Sequence, residues 1–374
     1  MLASSGVDYG PLEQTLFSRR RIHALSTIVV GAGALGTEVV RLLGLLGPAQ
    51  VTVVDPDCVE QGNLTRSFLF CPGDSIGRNK ASAVVAAASA LFPQTRWVAE
   101  PTEIASVGYQ RMAGSDILFS CVDSDLARVE IAYIAKQLGL LVADGGLGRG
   151  DHSFGRVSLF PGTVESACFG CFLGPRRRSE LLATWHSTIR SCTDPRADDP
   201  DADASTPTMA AIVAAMQVEA GIRHVVESRG DTPVRSNTIE IRLHPQAGIT
   251  EFTTEASVAC PFHGSDRDMR RAMAGPDATF GDLLISTGAA CIVLDWPICV
   301  NARCLDCGRV WSPNLRLATL RRRGRCPGCG SPRVLELETL RSIDAESPWA
   351  RVPPTSLGLP AEHLHRLQFG PARS

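Results

Sequence analysis

A short apolar run at residues 27–30 breaks into Gly31-Ala32-Gly33-Ala34-Leu35-Gly36, and this join restricts the fold more than any other part of the chain. A buried strand that turns at glycine straight into a helix is the opening of a nucleotide-binding α/β unit. Gly31 permits the tight turn, Gly33 lets the backbone approach a phosphate, and Gly36 lets the helix pack on the strand. Backbone N–H groups at that helix N-terminus then meet negative charge. Asp55 closes a second apolar strand at residues 51–54, where it can accept hydrogen bonds from ribose hydroxyls. Dinucleotide-binding enzymes share all of these features.

The alternation continues. An alanine-rich helix is expected over residues 80–91, a strand over 117–122, a helix over 126–138 and a strand over 140–143. The fold class is α/β, a Rossmann-like doubly wound and mostly parallel sheet. Residues 1–24 read as an N-terminal arm and 25–264 as the nucleotide-binding domain. Within that domain 194–207 read as an acidic, proline-rich surface loop, followed by a helix from 207 to about 226 and strands at 238–243 and 249–254. Residues 265–298 read as a connecting segment, helical around 280–285. Residues 299–340 read as a zinc ribbon carrying the basic run 321–325 on a loop. The tail, 341–374, holds one short helix at 361–367.

The formal charge of −2 gives no reason to expect a nucleic-acid or membrane partner. No apolar run follows a basic N-terminal segment, so the chain reads as cytoplasmic. In such a setting the 13 cysteines, six of them in three Cys-x-x-Cys pairs, argue for metal rather than disulfides. Cys304/Cys307 and Cys326/Cys329 are each followed by glycine, the pattern of a zinc ribbon. Cys58, Cys71, Cys121, Cys291 and Cys299 read as buried structural thiols.

Further groups move the reading from hydride transfer to adenylation. Arg66 and Lys80 supply cations for a triphosphate, Asp123 a hard oxygen ligand for Mg²⁺, and Asn63 can bond a phosphate or hold its loop. The chain here resembles the ThiF/MoeB/ubiquitin-activating E1 superfamily over roughly residues 20–263. The resemblance rests on the glycine loop and on Asp55-Pro56-Asp57-Cys58-Val59-Glu60-Gln61-Gly62-Asn63-Leu64-Thr65-Arg66. Gly77-Arg78-Asn79-Lys80-Ala81 and Cys121-Val122-Asp123 complete it.

The resemblance implies adenylation of the C-terminal glycine of a ubiquitin-like, β-grasp protein with ATP and Mg²⁺. It places Gly31, Gly33, Gly36, Asp55, Asp57, Asn63, Arg66, Lys80 and Asp123 at the nucleotide, with Arg66, Lys80 and Asp123 also catalytic. It implies a closed structural zinc site from Cys168, Cys171, Cys260 and His263, which with the ribbon makes two. It also implies that the segment 186–208, which includes the acidic loop, is a crossover loop. A homodimer is expected, as is common in the family. Two positions depart from the pattern: Ser124 stands where Asn often follows the metal-binding Asp. The upstream Arg-Tyr-x-Arg-Gln element has only Ser18-Arg19-Arg20-Arg21 in its place.

Cys192, in Ser191-Cys192-Thr193, resembles the Cys-Thr dipeptide of E1 thioester enzymes, with Arg190 favouring the thiolate and Asp194 opposing it. A non-catalytic loop cysteine is the alternative. The resemblance therefore suggests thioester capture on Cys192 and transfer to an E2-like protein, as in bacterial ubiquitin-like conjugation operons of the antiviral type. The rival within the same chemistry is a sulfur-carrier adenylyltransferase without a required thioester. A zinc-ribbon nucleic-acid-binding protein is a remoter alternative.

Overall fold

A computed structural model describes residues 15, 19–148, 152–163, 165–186, 206–227, 236–262, 270–275, 277–360 and 363–370. The chain divides into two compact units, the first of residues 1–107, 112–174 and 199–263 and the second of 108–111, 175–198 and 264–374.

The first unit is built on an eight-stranded sheet. Its strands are β1 (Ser26–Val30), β2 (Gln50–Val54), β3 (Arg96–Glu100), β4 (Ile117–Ser120), β5 (Leu141–Leu147), β6 (Phe154–Phe160), β7 (Asn237–Arg242) and β8 (Gly248–Thr253). They lie in the order β3-β2-β1-β4-β5-β6-β7-β8. The first five run parallel, and β6, β7 and β8 extend the sheet antiparallel. Chain order reverses between β1 and β4, which creates the crevice at strand carboxyl ends where such sheets hold ligands.

Among the described residues four helices clothe the sheet: α1 (Ala34–Leu46), α2 (Lys80–Leu91), α3 (Asp125–Leu138) and α4 (Pro207–Glu227). Val39, Val40 and Leu43 of α1, Val84 of α2 and Val213, Val218 and Ile222 of α4 share one core with Val29, Val51, Val53, Phe119 and Val157. Burial on the sheet explains why α4 is long and apolar enough to cross a membrane by composition. α3 packs against β4 and β5 with a separate buried set that includes Val129, Ile131 and Ile134. Its boundaries follow local chemistry, since the Ser124 hydroxyl accepts from the Ala127 N–H at 3.1 Å and Gly139 ends it at φ +67°.

The second unit gathers segments that the sequence reads as separate. Its strands are β9 (Arg270–Met273), β10 (Cys291–Cys304), β11 (Val310–Trp311), β12 (Leu315–Arg316), β13 (Val334–Asp344) and β14 (Leu364–Gln368). β10 is the spine and pairs antiparallel with β11, β12, β13 and β14, while β14 pairs with β9. The β10–β13 register shifts between Val293 and Ile298, the stretch that holds Pro297, which has no N–H to give a ladder. The connecting segment, the ribbon and the tail therefore share one sheet.

Two expectations are corrected here. The tail forms strand β14 where a helix was expected over 361–367: its burial alternates with period two, and pairing with β10 and β9 outweighs the local apolar spacing. The run 321–325 is not all loop, because α6 (Leu317–Arg323) carries Arg321, whose Nε lies 2.9 Å from Glu336. The helix expected around 280–285 is present as α5 (Phe280–Thr287), opened by a Thr279/Asp282 capping box.

Asp295 of β10 organises this unit's interior. Arg271 meets its carboxylate with two bonds of 3.1 Å, the Tyr109 hydroxyl donates at 2.8 Å, and His363 Nε2 lies 3.4 Å away. Burial opposes ionisation, yet His363 and the Arg271 charge hold the carboxyl well below the usual range. The neighbouring His365 is driven down to about 3 by burial and by His363.

A histidine kept neutral in the fold but protonated when unfolded contributes stability that is full above its ordinary pKa of 6.5 and lost as pH falls toward 3. His365→Leu should therefore flatten the acid limb of the second unit's stability, by about 2 kcal/mol at pH 5. Urea unfolding at pH 7 and pH 5 checks this, and an equal pH dependence in both proteins would refute it.

Candidate active site

The glycine turn is dictated by crowding. Gly31 has φ +96°, and a Cβ there would sit 2.6 Å from the Cys121 carbonyl oxygen beyond β4; one on Gly36 would sit 1.8 Å from the Gly31 oxygen. Gly33 opens onto free space and precedes α1 with no side chain capping it. The first turn of α1 thus presents backbone N–H groups at a position that backbone or phosphate can approach.

Asp55, at the end of β2, is buried and accepts the Ala32 N–H at 2.6 Å and the Asp57 N–H at 2.8 Å. Burial raises its pKa, and the two N–H groups and Lys80 pull it back. Its carboxylate holds the glycine loop, and its oxygens keep capacity to accept further hydrogen bonds.

Asn79 fastens the next element. Its amide donates to the carbonyls of Asp55 (2.8 Å) and Asp57 (3.1 Å), while its oxygen accepts the Ser82 N–H at 3.0 Å and caps α2. Lys80 follows as the first residue of α2, with its N–H on the Asp57 carbonyl at 2.7 Å and its Nζ 3.4 Å from the Asp57 carboxylate. Asn63 is buried, and its side chain accepts the Glu60 N–H at 2.9 Å in a reciprocal capping box. It holds the turn that leads to half-buried Arg66.

Asp123 is exposed just beyond β4. The turn bearing it is held from beneath by residues that the sequence reading missed. Gln217 of α4, fully buried, donates to the carbonyls of Ser120 (3.0 Å) and Ala143 (2.7 Å). Arg128 of α3 donates to the Val122 carbonyl at 2.6 Å and pairs with buried Asp144, which also accepts the Ser120 hydroxyl at 2.7 Å and lies 3.3 Å from Arg156. The available signal was charge and amide inside otherwise apolar elements. The glycine loop, Asp55, Asp57 and Asp123 thus stand at the carboxyl ends of neighbouring β1, β2 and β4, with Lys80 tied to Asp57. Such an arrangement is chemically suited to a nucleoside triphosphate, and the Asp123 carboxylate is the hard oxygen type that Mg²⁺ takes.

Among the described residues two cysteine clusters fit zinc. Tetrahedral coordination with bonds of about 2.3 Å sets sulfurs about 3.8 Å apart. In the second unit Cys304–Cys329 and Cys307–Cys326 are 3.6 and 3.5 Å apart, and the four sulfurs lie within 4.8 Å of one another. Burial opposes thiolate at Cys326, but the N–H groups of Cys329 and Gly328 bring it down to about 6. In the first unit Cys168 lies 3.9 Å from Cys171 and 3.7 Å from Cys260. His263 lies outside the described residues, as does Cys192. Cys58 and Cys71, expected to be buried thiols, are exposed on the loops flanking Asn63; Cys291 and Cys299 are buried.

Residues 13–261 match the model of the ThiF family. The chain belongs to the ThiF family. It is thereby an enzyme of the E1-like adenylyltransferase group. The rice ubiquitin-like modifier-activating enzyme 5 is 25% identical over 345 residues, covering 77% of this chain and 78% of the rice enzyme. The SAMP-activating enzyme E1 of Haloferax volcanii is 30% identical over 130 residues, and adenylyltransferase and sulfurtransferase UBA4 of Eremothecium gossypii 28% over 176. These matches span 47% and 39% of those two relatives. A crystal structure of E. coli MccB with AMPCPP and MccA superposes over 67% of this ThiF chain and 69% of its own, at 16% identity and a TM-score of 0.49.

Asn79→Ala removes a helix cap worth about 1 kcal/mol together with two ties to the Asp55 loop. It should lower the melting temperature and weaken ATP binding; an unchanged ATP affinity by calorimetry would show that the loop holds itself. Cys304→Ser should lower the zinc content by one ion per chain, read by elemental analysis.

Proposed function

We propose that this ThiF-family chain uses ATP and Mg²⁺ to adenylate the C-terminal glycine of a ubiquitin-like protein. The observation that carries the reading is the meeting of the glycine loop, Asp55, Asp57-held Lys80 and Asp123 at the carboxyl ends of β1, β2 and β4. A carboxylate oxygen of the carrier attacks the α-phosphorus, and the bond to pyrophosphate breaks. Lys80 and Arg66 stabilise the charge that builds on the phosphates, the α1 N-terminus receives the phosphate that Gly33 admits, and Asp55 holds the ribose. Mg²⁺, when bound through Asp123, supplies charge neutralisation for the departing pyrophosphate.

Beyond adenylation, the proposal extends to capture of the acyl group on the Cys192 thiolate with release of AMP, then transfer to an E2-like protein. Working as a cytoplasmic homodimer within an antiviral conjugation system belongs to the same proposal. The name of the rice relative, a ubiquitin-like modifier-activating enzyme, supports a ubiquitin-like protein as the substrate of the first step. The second reading, sulfur-carrier activation, is favoured by the UBA4 relatives, named as adenylyltransferase and sulfurtransferase.

ATP–pyrophosphate exchange with candidate ubiquitin-like proteins tests the first step. Asp123→Ala should abolish it, and near-normal turnover would remove that residue from the metal site. Lys80→Ala should slow exchange by roughly 100-fold, about 3 kcal/mol of lost charge stabilisation. Cys192→Ala should keep exchange and lose a thiol-sensitive adduct on non-reducing gels. Exchange with no adduct in the unaltered enzyme would instead favour the sulfur-carrier reading.

A further inference from the structure

We infer that the Cys168 cluster and the nucleotide site are thermodynamically coupled through Phe169 and Arg128, with Phe169 as a positioning residue for the turn that bears Asp123. The inference rests on the reading of Asp123 as the Mg²⁺ ligand for ATP.

The path is continuous and short. Phe169 sits inside the knuckle Cys168-Phe169-Gly170-Cys171 and is buried. Its ring faces two guanidinium groups, Arg128 and Arg156, each 5.5 Å from the centroid. Arg156 also lies 4.2 Å over the Phe172 ring, the residue after Cys171. Arg128 reaches from this aromatic face to the Val122 carbonyl at 2.6 Å, one residue before Asp123, and its other nitrogen pairs with Asp144.

The knuckle has little freedom to shift without moving the ring. A Cβ on Gly170 would stand 2.5 Å from Phe262 and 2.9 Å from the Cys260 sulfur, so the loop is pressed against the third ligand. The Ser257 N–H donates to Cys171 at 3.3 Å and joins the knuckle to the segment carrying Cys260. An ion that draws Cys168, Cys171 and Cys260 together fixes the Phe169 ring. The ring presents its negative face to Arg128, and Arg128 holds the Val122 carbonyl. Without the ion the three sulfurs lose their common centre, and the guanidinium loses one of the surfaces that orient it.

Coupling of this kind is reciprocal: if the ion tightens the nucleotide, the nucleotide must tighten the ion by the same factor. The test is made on the full zinc-loaded chain. A chromogenic chelator times zinc release with and without saturating ATP and Mg²⁺, and calorimetry gives ATP affinity with and without Mg²⁺. Phe169→Leu keeps apolar bulk while removing the ring face, and Arg128→Lys keeps the charge while removing the fork. The ribbon's own zinc is the internal control, its release phase identified by its absence in Cys304→Ser.

Nucleotide should slow release from the Cys168 cluster in the unaltered chain, and Phe169→Leu should abolish that slowing. It should also weaken Mg²⁺-dependent ATP binding by about two- to five-fold, as expected for loss of a cation–π contact. ATP affinity measured without Mg²⁺ should stay the same. If Phe169→Leu is purified without its zinc, Arg128→Lys supplies the same comparison. The inference is overturned if nucleotide fails to slow release in the unaltered chain, if it slows release equally in the variants, or if the cluster holds no metal. ATP binding that gains nothing from Mg²⁺ in the unaltered chain would instead overturn the reading of Asp123, while the release measurement would still decide the coupling.

Discussion

The buried carboxylate of Asp144 is the constraint on which the site's geometry depends. A lone charge at that depth is too costly to keep, so it must be matched, and Arg128, Arg156 and the Ser120 hydroxyl match it. Once Arg128 is committed there, its second nitrogen is aimed at the Val122 carbonyl and the position of Asp123 follows. Gln217 completes the arrangement by donating to the carbonyls of Ser120, where β4 ends, and of Ala143 within neighbouring β5. Polar groups in the core thus aim a residue at the surface.

The nucleotide side shows the same economy. Asp55 bonds Ala32 and Asp57, and Asn79 bonds the carbonyls of Asp55 and Asp57. The glycine loop, the end of β2 and the start of α2 therefore move as one piece. Each side chain satisfies backbone groups that strand and helix leave open at their ends, and rigidity of the site is a by-product of that satisfaction. In the second unit Asp295 has the parallel task. It draws Arg271 of β9, His363 beside β14 and Tyr109 to one point on β10, so a sheet of distant segments closes around one buried charge.

Much of the first unit was legible because its signals are local. Apolar runs bounded by glycine mark β1 and β2, and the alanine-rich stretch after Asn79 gives α2 over Lys80–Leu91. The ribbon's cysteine spacing placed four sulfurs within 4.8 Å of one another. The failures were non-local. Nothing in Leu-His-Arg-Leu-Gln declares a strand until β9 and β10 are beside it. Cys58 and Cys71 stand in apolar or unremarkable local sequence, and only the path of the loop exposes them. Asn79 was visible as part of a motif, whereas its service to Asp55 needed the fold.

By itself the sequence determined the α/β class, the glycine turn and the cysteine pairs of the ribbon, because each is written in a short stretch of residues with a fixed local geometry. Tertiary structure alone decided that Arg128, Asp144 and Gln217 converge beneath Asp123 and that the tail completes the ribbon's sheet. Those partners lie far apart along the chain: Gln217 is 97 residues from Ser120, and β14 closes on β10 some 70 residues away. What joins them is the need to neutralise a buried charge and to satisfy open backbone groups, a demand that exists only once the core has formed.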